Sequence, residues 1–129
     1  MDAKMNLQVE RFGRRLAETF EKGRRERRLE GLGTFAVIIH ETAHWTVIPS
    51  GPSAGIHTEM SDEPLDFVLV MKLDLFLEMY TAKGWRPIDV DKAVAERRMA
   101  MQGDFDVFLS FLKLNEAADM LSIRVKRAG

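Results

Sequence analysis

The chain has 129 residues, of which 46% are hydrophobic and 30% charged, enough for one globular domain with a single core. Nineteen Lys and Arg against 20 Asp and Glu leave a net charge of −1, which argues against nucleic acid as the main partner. Cysteine is absent, so no disulfide framework is available and a cytoplasmic location is the expectation.

No apolar run reaches the ~20 residues of a membrane-spanning helix. Lys4-Met5-Asn6-Leu7-Gln8 lacks the apolar stretch of a signal peptide. Met5, Val9, Phe12, Leu16 and Phe20 recur at helical spacing, so an amphipathic helix is expected over residues 5–30, ended by Gly31 and Gly33. Arg14, Arg15, Arg24 and Arg25 fall mostly off that stripe. Residues 11–28 carry eight Lys or Arg against three Glu. The plain reading is a solvated face; the sharper one is contact with anionic headgroups or an acidic partner.

Thr34 to Ile39 is β-branched and strand-like, and Trp45 to Ile48 gives a second strand. Pro49 to Gly55 must be a loop. Ile56 to Met60 suits a short edge strand, and Leu65 to Lys72 is the strongest strand signal. Both faces of that strand are apolar, so its phase stays open. Asp74 suits an N-cap and Gly84 a C-cap for the next helix. Asp89 or Asp91 can cap a short helix to Glu96. Arg97 to Gln102 alternates, with Arg98, Ala100 and Gln102 on one face and Met99 and Met101 on the other. Asp104 caps a helix carrying Phe105, Phe108, Leu109 and Leu112. A last short helix is expected from Asn115, then a charged tail. The class is α+β: a small, mainly antiparallel sheet with helices covering one face.

The chemistry-bearing motif is His40-Glu41-Thr42-Ala43-His44, a literal His-Glu-x-x-His. On a helix, both His would bind zinc and the Glu would act as general base, with Glu59 or His57 as third ligand. Strand-like segments flank it on both sides. If extended, it would hold the two His ~13 Å apart, too far for one metal. The plain reading is a polar hairpin turn. No phosphate loop or nucleophile elbow is present, and no cofactor is expected. Asp104 and Asp106 read as helix caps rather than acid–base catalysts.

The order of elements from Gly33 to Leu114 resembles the sterol carrier protein 2 (SCP2) family of lipid-binding domains. Gly33 to Ile39 and Trp45 to Ile48 resemble its opening hairpin. Leu65-Asp66 and the apolar run resemble its central strand, and Asp74 to Gly84 the helix that follows. Asp91 to Ala93 resembles its short helix, though without the usual Pro after the Asp. Met99 to Asp104 resembles the strand ending in Gly-Asp, and Phe105 to Leu114 the last large helix. Arg97 stands where the family often has Gly. The resemblance implies one domain: a core over residues 33–114, preceded by the amphipathic helix and followed by a lid over residues 115–129. It implies non-catalytic binding of a sterol, acyl chain, phospholipid or isoprenoid quinone intermediate in an apolar cavity. That cavity would be lined by Phe67, Leu69 and Met71 (or by Val68 and Val70), with Phe76, Met79, Met99, Met101, Phe105, Phe108 and Leu112. Read from residue types alone, the same set serves equally as a closed core. Two alternatives stand beside this reading: a zinc hydrolase built on His40, His44 and Glu59, and an interaction module using the basic helix.

Overall fold

The computed structural model describes residues 3–59, 61–81, 84–86 and 88–114. Helix α1 spans Ala3–Arg25; strands β1 (Phe35–Ile39) and β2 (Ala43–Ile48) form a hairpin; β3 is Gly55–His57 and β4 is Phe67–Met71. Then come α2 (Leu73–Met79), the two-residue strands β5 (Tyr80–Thr81) and β6 (Gly84–Trp85), α3 (Val90–Ala95), β7 (Met99–Gly103) and α4 (Phe105–Leu112). Five strands make one sheet in the order β3-β2-β1-β4-β7. The β1–β4 pair is parallel and the other three ladders are antiparallel.

Register decides the phase that the sequence left open. Phe35 faces Phe67, Val37 faces Leu69, and Ile39 faces Met71; Met71 faces Met99 in turn. These residues are buried, whereas Val68 and Val70 are half-buried and Ala100 is exposed. A shift of one residue would reverse both sets, so burial of one face fixes the pairing. Helices α1, α2 and α4 pack on the buried face. Phe12 of α1 meets Trp45, Phe76 and Tyr80 edge-on with ring centroids 5.0, 5.5 and 5.5 Å apart. Gly13 lets α1 come this close, since a Cβ there would lie 2.9 Å from the Trp45 indole nitrogen. Phe108 and Phe111 of α4 contact Phe35.

Helix α1 ends at Arg25, short of the expected glycines. Arg28 N–H donates to the Gly23 carbonyl at 2.8 Å and Arg27 N–H to the Arg24 carbonyl at 3.2 Å. This is a Schellman closure, with Arg27 in the left-handed region at φ +57°. Sequence reading looks for Gly at that place, and here an arginine fills it. The next helix also differs at both ends. Lys72 precedes α2 without a side-chain cap, while Asp74 sits inside the first turn and pairs with Arg98. Gly84 belongs to β6, paired with Thr81, rather than to a helix cap. Asp89 and Asp104 do cap their helices, accepting from the Lys92 and Asp106 amides at 3.1 and 2.9 Å. The helix and lid expected from Asn115 lie outside the described residues.

One residue ties three elements together. The Asp66 carboxylate accepts from the Thr34 amide at 2.8 Å, its own N–H donates to the Thr34 carbonyl, and its carbonyl accepts from the Asp104 amide at 3.0 Å. Gly103 closes over this junction at φ +97°, where a Cβ would drive into the Asp66 carbonyl oxygen.

Candidate functional site

Nine of the ten side chains expected around a cavity are buried between the sheet and the helices: Phe67, Leu69, Met71, Phe76, Met79, Met99, Phe105, Phe108 and Leu112. Met101 is half-buried and packs against them. They form one apolar layer. The Phe67 ring stacks at 6.0 Å on Phe108 and lies 5.6 Å from Phe105, and Phe76 stacks at 5.7 Å on Tyr80. Three flexible methionines, Met71, Met79 and Met99, sit among these rings, which gives the layer side chains able to repack around a guest.

The same core reaches the surface at one end. A cleft of about 600 Å³ lies between the last turns of α1 and the loop after β2. Its apolar wall is Phe20, Gly23 and Leu29, and Pro49 and Ala54 stand across from them. Phe20 and Leu29 belong to the buried cluster, while Arg24 and Arg27 stand at the rim. A second groove, of about 420 Å³, lies elsewhere, against the outer ends of β4 and β7. Three of the expected residues, Met71, Met99 and Met101, border it, together with His40, Val70, Lys72, Val94, Arg97, Arg98 and Ala100. Sequence reading did not single out either opening. Both arise where loops or edge strands meet; Val94 of α3, at the second, is an apolar residue left 44% exposed.

The His-Glu-x-x-His motif is a hairpin turn. His40 donates its backbone N–H to the Met71 carbonyl, Glu41 takes φ +57°, and the Thr42 N–H closes the turn on the Ile39 carbonyl at 2.9 Å. His44 is the second residue of β2 and its Nε2 lies 2.7 Å from the Thr46 hydroxyl. His57 Nε2 lies 2.8 Å from the Ser53 carbonyl, and Glu59 is exposed in the following loop. The helical presentation needed for a zinc hydrolase is missing. Among the described residues no three His, Asp or Glu side chains gather as metal ligands.

The arginines of α1 divide. Arg24 pairs with Glu21 at 2.7 Å, and that hydrogen bond holds the Glu21 carboxyl below its usual range. Arg15 lies 3.8 Å from Glu18. Arg14 and Arg25 are exposed. Away from α1, Arg98 is engaged by three carboxylates. It meets Glu78 at 2.7 Å, Asp74 at 3.2 Å and Glu96 at 3.8 Å. The hydrogen bond to Glu78 leads in raising the pKa of its guanidinium, against partial desolvation.

No protein-family model matches the sequence, and no curated protein matches it. Solved structures do match. The sterol carrier protein domain 2 of Helicoverpa armigera superposes with a TM-score of 0.55 at 12% identity, over 88% of this chain and 89% of that one. The fold is that of the SCP2 domains. Sterol carrier protein 2 from Aedes aegypti, solved in complex with palmitate, superposes at 0.52 with 16% identity, over 89% of this chain and 97% of that one. The mixed five-stranded sheet with its helices matches that fold. Among the described residues no helix is long and apolar enough to cross a membrane.

Proposed function

We propose that this domain binds an apolar or amphipathic small molecule and performs no chemistry on it. The ligand classes are those of the resemblance: a sterol, an acyl chain, a phospholipid or an isoprenoid quinone intermediate. The observation that carries the reading is the fold itself, shared over nearly the whole chain with a domain solved in complex with palmitate. The chemistry of the covered face supports it. Phe67, Leu69, Met71, Phe76, Met79, Met99, Met101, Phe105, Phe108 and Leu112 are the residues we assign to the ligand, with the cleft at Phe20 and Leu29 as its way in. Hiding a few hundred Å² of alkyl surface there is worth several kcal/mol at ~25 cal/mol per Å², with no charged contact required. Such a site selects by shape, and methionines let it accept more than one shape.

We assign to Arg14, Arg15, Arg24 and Arg25 the contact with a membrane surface or an acidic partner from which the ligand is taken. Binding to vesicles with anionic lipid should then fall steeply between low and physiological salt.

Native mass spectrometry of freshly purified, untagged protein, followed by denaturation of the same sample, tests the main reading. The expected result is an organic adduct that disappears on denaturation and reports the ligand's mass. A bare chain, combined with no change in the Met79 methyl resonance on titration with palmitate, would overturn it.

A further inference from the structure

The outer face of the sheet is not uniform. On the β2–β1 side Ala36, Thr46 and Ile48 are buried, with Ile38 and His44 half-buried. Towards β4 and β7 it opens. Val70 and Ala100 are partners across the ladder, half-buried and exposed respectively, and Val94 of α3 is 44% exposed beside them. These short apolar side chains belong to the groove of about 420 Å³, within the ~300–1,000 Å³ range of small-molecule sites.

Its rim is cationic. Of the cations there, Arg98 is already matched by three carboxylates. Lys72 and Arg97 are exposed, and among the described residues neither has an ion-pair partner. Arg97 also holds a left-handed backbone at φ +59°, where glycine is favoured and a side chain costs stability. That conformation closes α3, with the Arg97 and Arg98 amides donating to the Val94 and Ala93 carbonyls at 3.0 and 2.9 Å, and it sets an exposed arginine at the edge of the apolar groove.

We propose that this groove is a second site, for a single-chain amphiphile with an anionic head. The alkyl chain lies along Val70, Val94 and Ala100, and the carboxylate meets Lys72 and Arg97. An open groove buries only one side of an alkyl chain, so apolar contact alone holds it weakly and the head group decides. Arginine supplies a planar pair of donors that matches a carboxylate. This site shares Met71, Met99 and Met101 with the residues assigned to the interior ligand, but its alkyl and head-group contacts are to other side chains.

Methyl NMR of the full chain, titrated with octanoate and in parallel with 1-octanol, tests the assignment. Octanoate should move the Val70, Val94 and Ala100 methyls with an affinity about tenfold above that of octanol at low salt. Arg97→Gly and Lys72→Gln should each weaken octanoate by about two- to fivefold, as expected for exposed charge contacts, and leave octanol unchanged. Arg97→Gly should keep or raise the thermal midpoint, which separates lost binding from lost folding. Equal responses to octanoate and octanol would overturn the proposal. So would shifts confined to Val37 and Met79, which would place the ligand in the interior alone. Response to anionic vesicles without response to monomeric octanoate would make this surface a membrane contact instead, and would equally overturn it. Movement of Val70 and Ala100 with no change at Val37 and Met79 would support this site while counting against the interior one.

Discussion

The two faces of the sheet both carry apolar residues and are covered to different extents. Facing the helices, Phe35, Val37, Ile39, Phe67, Leu69 and Met71 are each at most 3% exposed. Facing outward from the same two strands, Ala36 is buried but Ile38, Val68 and Val70 are only half-buried. The difference lies in what covers each face rather than in the side chains themselves. Aromatic rings from α1, α2 and α4 fill the inner side, whereas near β7 the outer side carries the short side chains Val70 and Ala100 beside the exposed cations Lys72 and Arg97. Where both faces of a strand are apolar, alternation carries no phase information, and the helices decide which side becomes core.

The largest expected effect is at the junction that holds the inner layer together. Gly103→Ala forces a Cβ against the Asp66 carbonyl at a backbone angle that L residues avoid. The obstacle is backbone, so neither side can turn away. A loss of about 3 kcal/mol or more is expected, read as a lower denaturation midpoint. An unchanged midpoint would show that β4 and α4 are not locked as described.

Truncations on the two faces measure their difference directly. Phe108→Ala removes a fully buried ring that touches Phe35, Phe67 and Phe105, and should cost about 3–5 kcal/mol. Val70→Ala on the outer face should cost about 1 kcal/mol or less. If Phe108→Ala costs under about 2 kcal/mol, the inner layer is already hollow enough to collapse around the loss. An effect smaller than that of Phe108→Ala is expected at Asp66→Ala, about 1–2 kcal/mol, since the Thr34 amide loses its carboxylate but the backbone bonds at Asp66 remain.

Much of this was legible in the residues because local rules and tertiary packing agree. The β7 alternation, the Asp89 and Asp104 caps and the hairpin at His40 to His44 all follow from short-range chemistry. The misses fall where a distant partner overrides a local preference. Asp74 looks like a cap until Arg98, 24 positions later, takes its carboxylate. Gly84 looks like a helix stop until Thr81 pairs with it across a two-residue ladder. The candidate site divides the same way. The layer of Phe and Met is visible as an apolar inventory. The cleft beside Phe20 and the groove beside Val70 depend on how loops and edges meet, which no single stretch encodes.

The smallest effect separates strain with a purpose from strain without one. Arg27 and Arg97 both hold left-handed backbone, at φ +57° and +59°. Replacing either with Gly removes a steric cost of ~1–2 kcal/mol and adds ~0.5–1 kcal/mol of unfolded-chain entropy, so each variant should gain about 0.5 kcal/mol. The sites differ in what the arginine faces. Arg27 stands at the rim of the cleft that opens on the inner core, and Arg97 at the rim of the outer groove. Equal gains in stability set the backbone cost as common to both. If Arg97→Gly alone then weakens octanoate, and Arg27→Gly does not, the outer groove holds its own anionic ligand. If both variants weaken octanoate equally, the head group is sensed through overall charge, and the two faces of the sheet differ in packing but not in recognition.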